Sequence, residues 1–109
     1  MTRRRVVVTG VGCVSPVGNT VQDSWSNLLS GRSGIDFIKK FDASAFACQF
    51  AGEVKGLDLD AYISPKDARG MDAFIHFGIV ASIQAVLDSG LPTGQDLDEE
   101  VAARIGCLI

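Results

Sequence analysis

A chain of 109 residues and 11.5 kDa has room for one small domain. With 47% hydrophobic and 21% charged residues it is globular in composition, which excludes a disordered segment. Ten basic and thirteen acidic side chains leave a net charge of −3, and nothing in that balance points to nucleic acid.

In chain order, Arg5 to Val11 reads as a first strand, because the consecutive β-branched Val6, Val7 and Val8 suit a strand covered on both faces. Ser15-Pro16-Val17-Gly18-Asn19 is a turn-rich loop. Thr20 with Asp23 makes a capping box, and the helix it opens carries Trp25, Leu28 and Leu29 on one face before Gly31 ends it. Residues 31–47 read as irregular, and Cys48 to Val54 alternates as a strand does. Ser64-Pro65-Lys66-Asp67 is a strong helix start, stopped by Gly70. Met71 to Asp88 is the best helix, with Asp72 at its positive end and Ser89-Gly90 and Pro92 at its close. Residues 93–100 read as a polar, acidic connection, and Arg104 to Ile109 as a last strand.

The long helix and the final run do not suit a self-sufficient domain. Phe74, Ile75, Phe77, Ile79, Val80, Ile83, Val86 and Leu87 wrap most of the way round a rod about 25 Å long, and a helix that is apolar all round needs cover on all sides. Ile105-Gly106-Cys107-Leu108-Ile109 stops inside an apolar run, as an unfinished strand. The expectation is a piece of a larger protein; the alternative is a small domain that hides both features in a homodimer.

The candidate chemistry is sparse. Cys13, Cys48 and Cys107 are odd in number, far apart and without a C-x-x-C pair, so neither a disulfide framework nor a zinc site is expected and a reducing compartment fits. The lone His76 cannot build a metal site. All three cysteines are expected to be small buried side chains, and His76 a satisfied histidine of the core or an interface. Gly10-Val11-Gly12-Cys13-Val14-Ser15 approaches the dinucleotide fingerprint, but Ser15 stands for the third glycine and Pro16 follows where a helix should open. A strand running into a glycine-rich turn is the better reading. Arg3 to Arg5 read as a solvated run.

Residues 1–69 hold nine basic against seven acidic groups, residues 70–109 one against six. Lys66 and Arg69 lie three apart and share a face that suits an acidic partner, although spacing alone favours a plain solvated face. The uncharged stretch Ala73 to Leu87 is too short to span a membrane, and glycines and Pro16 interrupt any secretory leader after Arg5; the expectation is a soluble, cytoplasmic protein.

Arg4 to Asn19 (RRVVVTGVGCVSPVGN), Phe41 to Phe46, Ala51 to Val54 and Met71 to Leu91 (MDAFIHFGIVASIQAVLDSGL) stand in the order and spacing of the beta-ketoacyl synthases, and the resemblance runs from Arg3 to Ile109. The chain is most similar to the elongating fatty acid ketosynthases of that family. The resemblance implies an α/β, thiolase-like fold, with two core sheets sandwiched between helix layers, of which residues 1–109 are an incomplete N-terminal half. It implies a homodimer, no cofactor, and decarboxylative condensation of an acyl thioester with malonyl-[acyl-carrier-protein].

The family's nucleophilic cysteine, two histidines and lysine are expected beyond Ile109, so no catalytic residue is assigned to Cys13, Cys48, Cys107 or His76. Lys66 and Arg69 match the basic segment with which the family docks its acyl carrier protein, although Pro65 and Gly70 stand where many relatives are basic, so the patch is thinner here. A ketosynthase or a non-catalytic chain-length subunit of a dissociated polyketide synthase is the alternative.

Overall fold

Helix α1 (Val21–Leu29) begins where its capping box puts it: Thr20 Oγ1 accepts from the Asp23 amide at 3.1 Å and donates to Asp23 Oδ2 at 2.8 Å. The computed structural model describes residues 3–108. After α1, strand β1 (Ile35–Phe37) pairs antiparallel with β2 (Phe50–Gly52), Asp36 opposite Ala51. Then come α2 (Pro65–Ala68), the long α3 (Ala73–Ser89), a 3-10 turn at Gly94–Asp96 and the short α4 (Glu99–Ala102).

Strand β1 lies inside a stretch expected to be irregular, and β2 is shorter than the expected Cys48–Val54. Side chains close this ribbon. Glu53 accepts from the backbone N–H groups of Lys39 and Lys40 at 3.0 and 3.2 Å, and Asp36 pairs with Lys39 at 3.0 Å and Lys55 at 3.6 Å. The Lys39 hydrogen bond, the Phe37 amide and the Lys39 charge hold the Asp36 carboxyl below the ordinary aspartate range. The acidic connection after Pro92 also contains helix: Asp98 Oδ1 accepts from the Glu100 and Val101 amides and so nucleates α4.

Helix α3 starts two residues later than expected, with Asp72 as N-cap bonding the Ala73 amide, and ends on Gly90 at φ 68, a left-handed C-cap. Its inner face carries the core. Val80 is completely buried, with Ala43 and Ile63 buried elsewhere in the chain. Its outer face is bare, with Phe74 and Leu87 exposed.

The expected first and last strands are not strands among the described residues. A strand exists by pairing with a neighbour, and none of the described strands lies beside Arg5–Val11 or the end of the chain. Val6 and Val8 are 93% and 82% exposed, and Leu108 is fully exposed; Ile109 lies outside the described residues. The apolar face of α1 (Trp25, Leu28 and Leu29) is equally uncovered, and the residue this helix does bury is Ser24.

The first segment does have one partner, α3. Cβ atoms at Gly10 and Gly12 would overlap the carbonyl oxygens of Ala85 and Ala81, so the segment lies directly on the helix backbone. The amides that follow each glycine are taken by helix side chains: Val11 N–H donates to Asp88 Oδ2 at 3.0 Å and Cys13 N–H to Gln84 Oε1 at 3.1 Å. Gln84 Nε2 also donates to the Asn19 carbonyl at 2.7 Å, tying the following loop to the same helix.

The exposed area and the dimensions are those of a loosely packed chain. The chain exposes 9075 Å², whereas a folded monomer of this mass exposes about 5,800 Å². Its radius of gyration is 17.9 Å, against about 13 Å for a compact domain of this length.

Candidate functional site

Sequence spacing singles out one surface, the helix α2 with Lys66 and Arg69. Four residues do not hold a helix by themselves, because nucleation costs more than one turn returns. Here the ends are fixed. Ser64 Oγ accepts from the Asp67 amide at 3.2 Å and donates to Asp67 Oδ2 at 2.7 Å, and Pro65 stands in the first turn. At the other end the Gly70 amide returns to the Asp67 carbonyl at 3.2 Å and the Met71 amide to that of Ala68 at 3.1 Å, turning the chain into α3.

Lys66 and Arg69 are both exposed, and neither forms an ion pair or side-chain hydrogen bond among the described residues. Asp67, between them, is engaged by Ser64. Two unneutralised cations on one short, tied-down helix present a small positive face to solvent, suited to carboxylates or phosphates of a partner.

The remaining reactive side chains do not assemble into a nucleophile and base. Cys13 is half-buried, with its Sγ 3.9 Å from Ser24 Oγ. Cys48 and Cys107 are exposed, which corrects the expectation that all three cysteines are buried. Cys48 sits on the outside of the β ribbon, its thiol 3.5 Å from the Phe50 carbonyl, and Cys107 follows α4 in the uncovered terminal run. His76 is satisfied, as expected, with Nε2 3.0 Å from the Ala68 carbonyl. No group of three metal-ligating side chains occurs among the described residues, and no helix among them is long and apolar enough to cross a membrane.

The structure also gives Gly10-Val11-Gly12 a role that its fingerprint-like spacing obscured. The glycines admit α3 against the backbone and leave no phosphate cradle, because the Val11 amide between them is bound to Asp88 and the Cys13 amide after them to Gln84. Gln84 and Asp88 stand four apart on a largely apolar helix, a polar pair on one face and the signal that could have found this contact.

Comparison with known proteins gives one consistent answer. Residues 3–109 match the family model "Beta-ketoacyl synthase, N-terminal domain". The chain is 58% identical over its whole length to the 3-oxoacyl-[acyl-carrier-protein] synthase 2 of Vibrio cholerae serotype O1, of which it covers 25%. It is 45% identical to the protein of the same name from Synechocystis, over 97% of this chain and 26% of that protein. Among solved structures it resembles "The ishigamide ketosynthase/chain length factor", with a TM-score of 0.70 and 31% identity over 92% of this chain and 23% of that one. The fold is thus the α/β arrangement of a ketosynthase, and the chain spans about a quarter of the length of the curated relatives it matches.

Proposed function

The chain belongs to the beta-ketoacyl synthase family, and from that membership we propose that it serves as part of the N-terminal half of a fatty acid chain-elongating 3-oxoacyl-[acyl-carrier-protein] synthase. The observation that carries the reading is the 58% identity to the Vibrio cholerae synthase 2 along all 109 residues.

The proposed reaction moves an acyl group from its carrier thioester to an enzyme cysteine, freeing the carrier thiol. Malonyl-[acyl-carrier-protein] then loses carbon dioxide, and the enolate left behind attacks the acyl-cysteine carbonyl and expels the cysteine thiolate. The product is a 3-oxoacyl-[acyl-carrier-protein] two carbons longer. The cysteine and its helper groups are assigned outside residues 1–109, consistent with the solitary positions of Cys13, Cys48, Cys107 and His76.

The part proposed for this chain is docking of the carrier. Lys66 and Arg69 offer exposed, unpaired positive charge to an acidic acyl carrier protein. The proposal includes a homodimeric enzyme of the cytoplasm. The likeness to a solved ketosynthase/chain length factor supports, as the second reading, a ketosynthase or a non-catalytic chain-length subunit of a dissociated polyketide synthase; its lower identity ranks it second.

The test joins residues 1–109 to the rest of the Vibrio cholerae synthase 2 in place of the matching quarter. This hybrid synthase should condense acyl- and malonyl-[acyl-carrier-protein], with release of carbon dioxide. A hybrid as soluble and heat-stable as the Vibrio parent, but without condensation, would contradict the reading.

A further inference from the structure

We propose that His76 is a positioning residue for carrier docking: its ring holds α2 against α3 and thereby sets where Lys66 and Arg69 point. The inference rests on the docking role given to those two residues above, and adds a third residue, on a different element, that touches no substrate.

The geometry is specific. His76 lies just inside α3, four residues after the N-cap Asp72, with its own amide bonded to the Asp72 carbonyl at 3.3 Å. Its Nε2 lies 3.0 Å from the carbonyl oxygen of Ala68, the last residue of α2. A carbonyl only accepts, so the ring donates and Nε2 carries the proton. The bond bridges the Arg69–Asp72 turn directly, helix to helix. Arg69 follows Ala68 immediately, and Lys66 sits two residues before it.

Alternative anchors are few. Among the described residues, the hydrogen bonds that hold α2 besides its own and the Ser64 cap are those of the Gly70 and Met71 turn amides and of the His76 ring, and none of its four residues is buried. The buried Ile63 fixes the entry to α2, and the His76 ring fixes the exit. Without the ring the Ser64 cap and the Gly70 and Met71 amides still close α2, but the angle at which it meets α3 loosens, and with it the direction of two long cationic side chains. Docking then incurs the ordering cost that His76 otherwise removes beforehand.

Substitution separates this role from a structural one. In His76→Leu the Ala68 carbonyl keeps the Met71 amide at 3.1 Å, so no acceptor is orphaned and the melting temperature should hold. In His76→Gln the amide nitrogen lies as many bonds from Cα as the imidazole Nε2 and restores the donor.

In the hybrid synthase, His76→Leu should raise the KM for acyl carrier protein about three- to tenfold, the range to which one net hydrogen bond converts, with kcat unchanged. His76→Gln should return KM to the parent value. Histidine NMR on the parent hybrid should show the neutral His76 ring protonated at Nε2.

An unchanged KM in His76→Leu, a parallel fall in kcat and stability, or a ring protonated at Nδ1 would each overturn the proposal. If His76→Leu does not fold, His76 is structural and the proposal also fails. The docking reading is tested separately by reversing the charges of Lys66 and Arg69: if reversal raises KM while His76→Leu does not, only the role of His76 is lost.

Discussion

Gly12→Val in the hybrid synthase should cost several kcal/mol and leave most of the protein insoluble. A side chain at this position meets the carbonyl oxygen of Ala81, and a helix backbone cannot rotate aside as a side chain can. The segment must therefore lift off α3, and over-packing of this kind costs about 1–3 kcal/mol. Lifting also breaks the bond from Cys13 N–H to Gln84 and the neighbouring one from Val11 N–H to Asp88. Each contributes about 1 kcal/mol when made, and more is lost if its partners stay buried without one. Against a total stability of about 5–15 kcal/mol, that sum is a large fraction. Denaturant midpoints check it, with Gly12→Ala expected to move the same way by less. A valine variant with the parent's midpoint would show that the segment does not lie on the helix.

Reversing both charges, Lys66→Glu with Arg69→Glu, should raise the KM for acyl carrier protein about tenfold or more at low ionic strength, with kcat unaltered. Neither cation has an internal partner among the described residues, so reversal breaks no contact of the fold and the melting temperature should stay in place. What changes is the approach of an acidic partner, which turns from attraction to repulsion. The effect should shrink as salt is added, because screening reaches about 10 Å at 0.1 M ionic strength. Steady-state kinetics across a salt series measure both features. Equal KM values for parent and variant at low salt would remove this surface from carrier recognition.

What could be read from the sequence divides along a physical line. Helix ends are local: Thr20 with Asp23, Ser64 with Asp67 and Gly90 each act within a few residues and stand where the side chains place them. By contrast α3, capped by Asp72, starts two residues later than expected, and Asp98 opens a single turn too short for apolar periodicity to mark. Strands need a neighbour. The valine run Val6–Val8 has the composition of a buried strand, yet no ladder forms, because none of the described strands lies beside it. Strand Ile35–Phe37 has no signature in the sequence, because three residues are too few for alternation to show, and its stability comes from pairing with Phe50–Gly52 and from Glu53.

The candidate site follows the same rule. The spacing of Lys66 and Arg69 was legible, since three residues along a helix face suffice to see it. The His76 contact with Ala68 was not, because it depends on how the Arg69–Asp72 turn folds one helix back on the next. The all-round apolarity of α3 was legible as a demand for cover, and the structure meets that demand on one side, with Val80 sealed and Phe74 bare.

The central expectation is that these elements pack to completion only against further polypeptide. Small-angle scattering of the isolated 109-residue chain at low concentration, followed through a thermal ramp, addresses it most directly. The expected outcome is an expanded or self-associating species, with a radius of gyration well above the roughly 13 Å of a compact domain and no cooperative melt. A monomer near that radius that unfolds in one sharp transition would contradict the account.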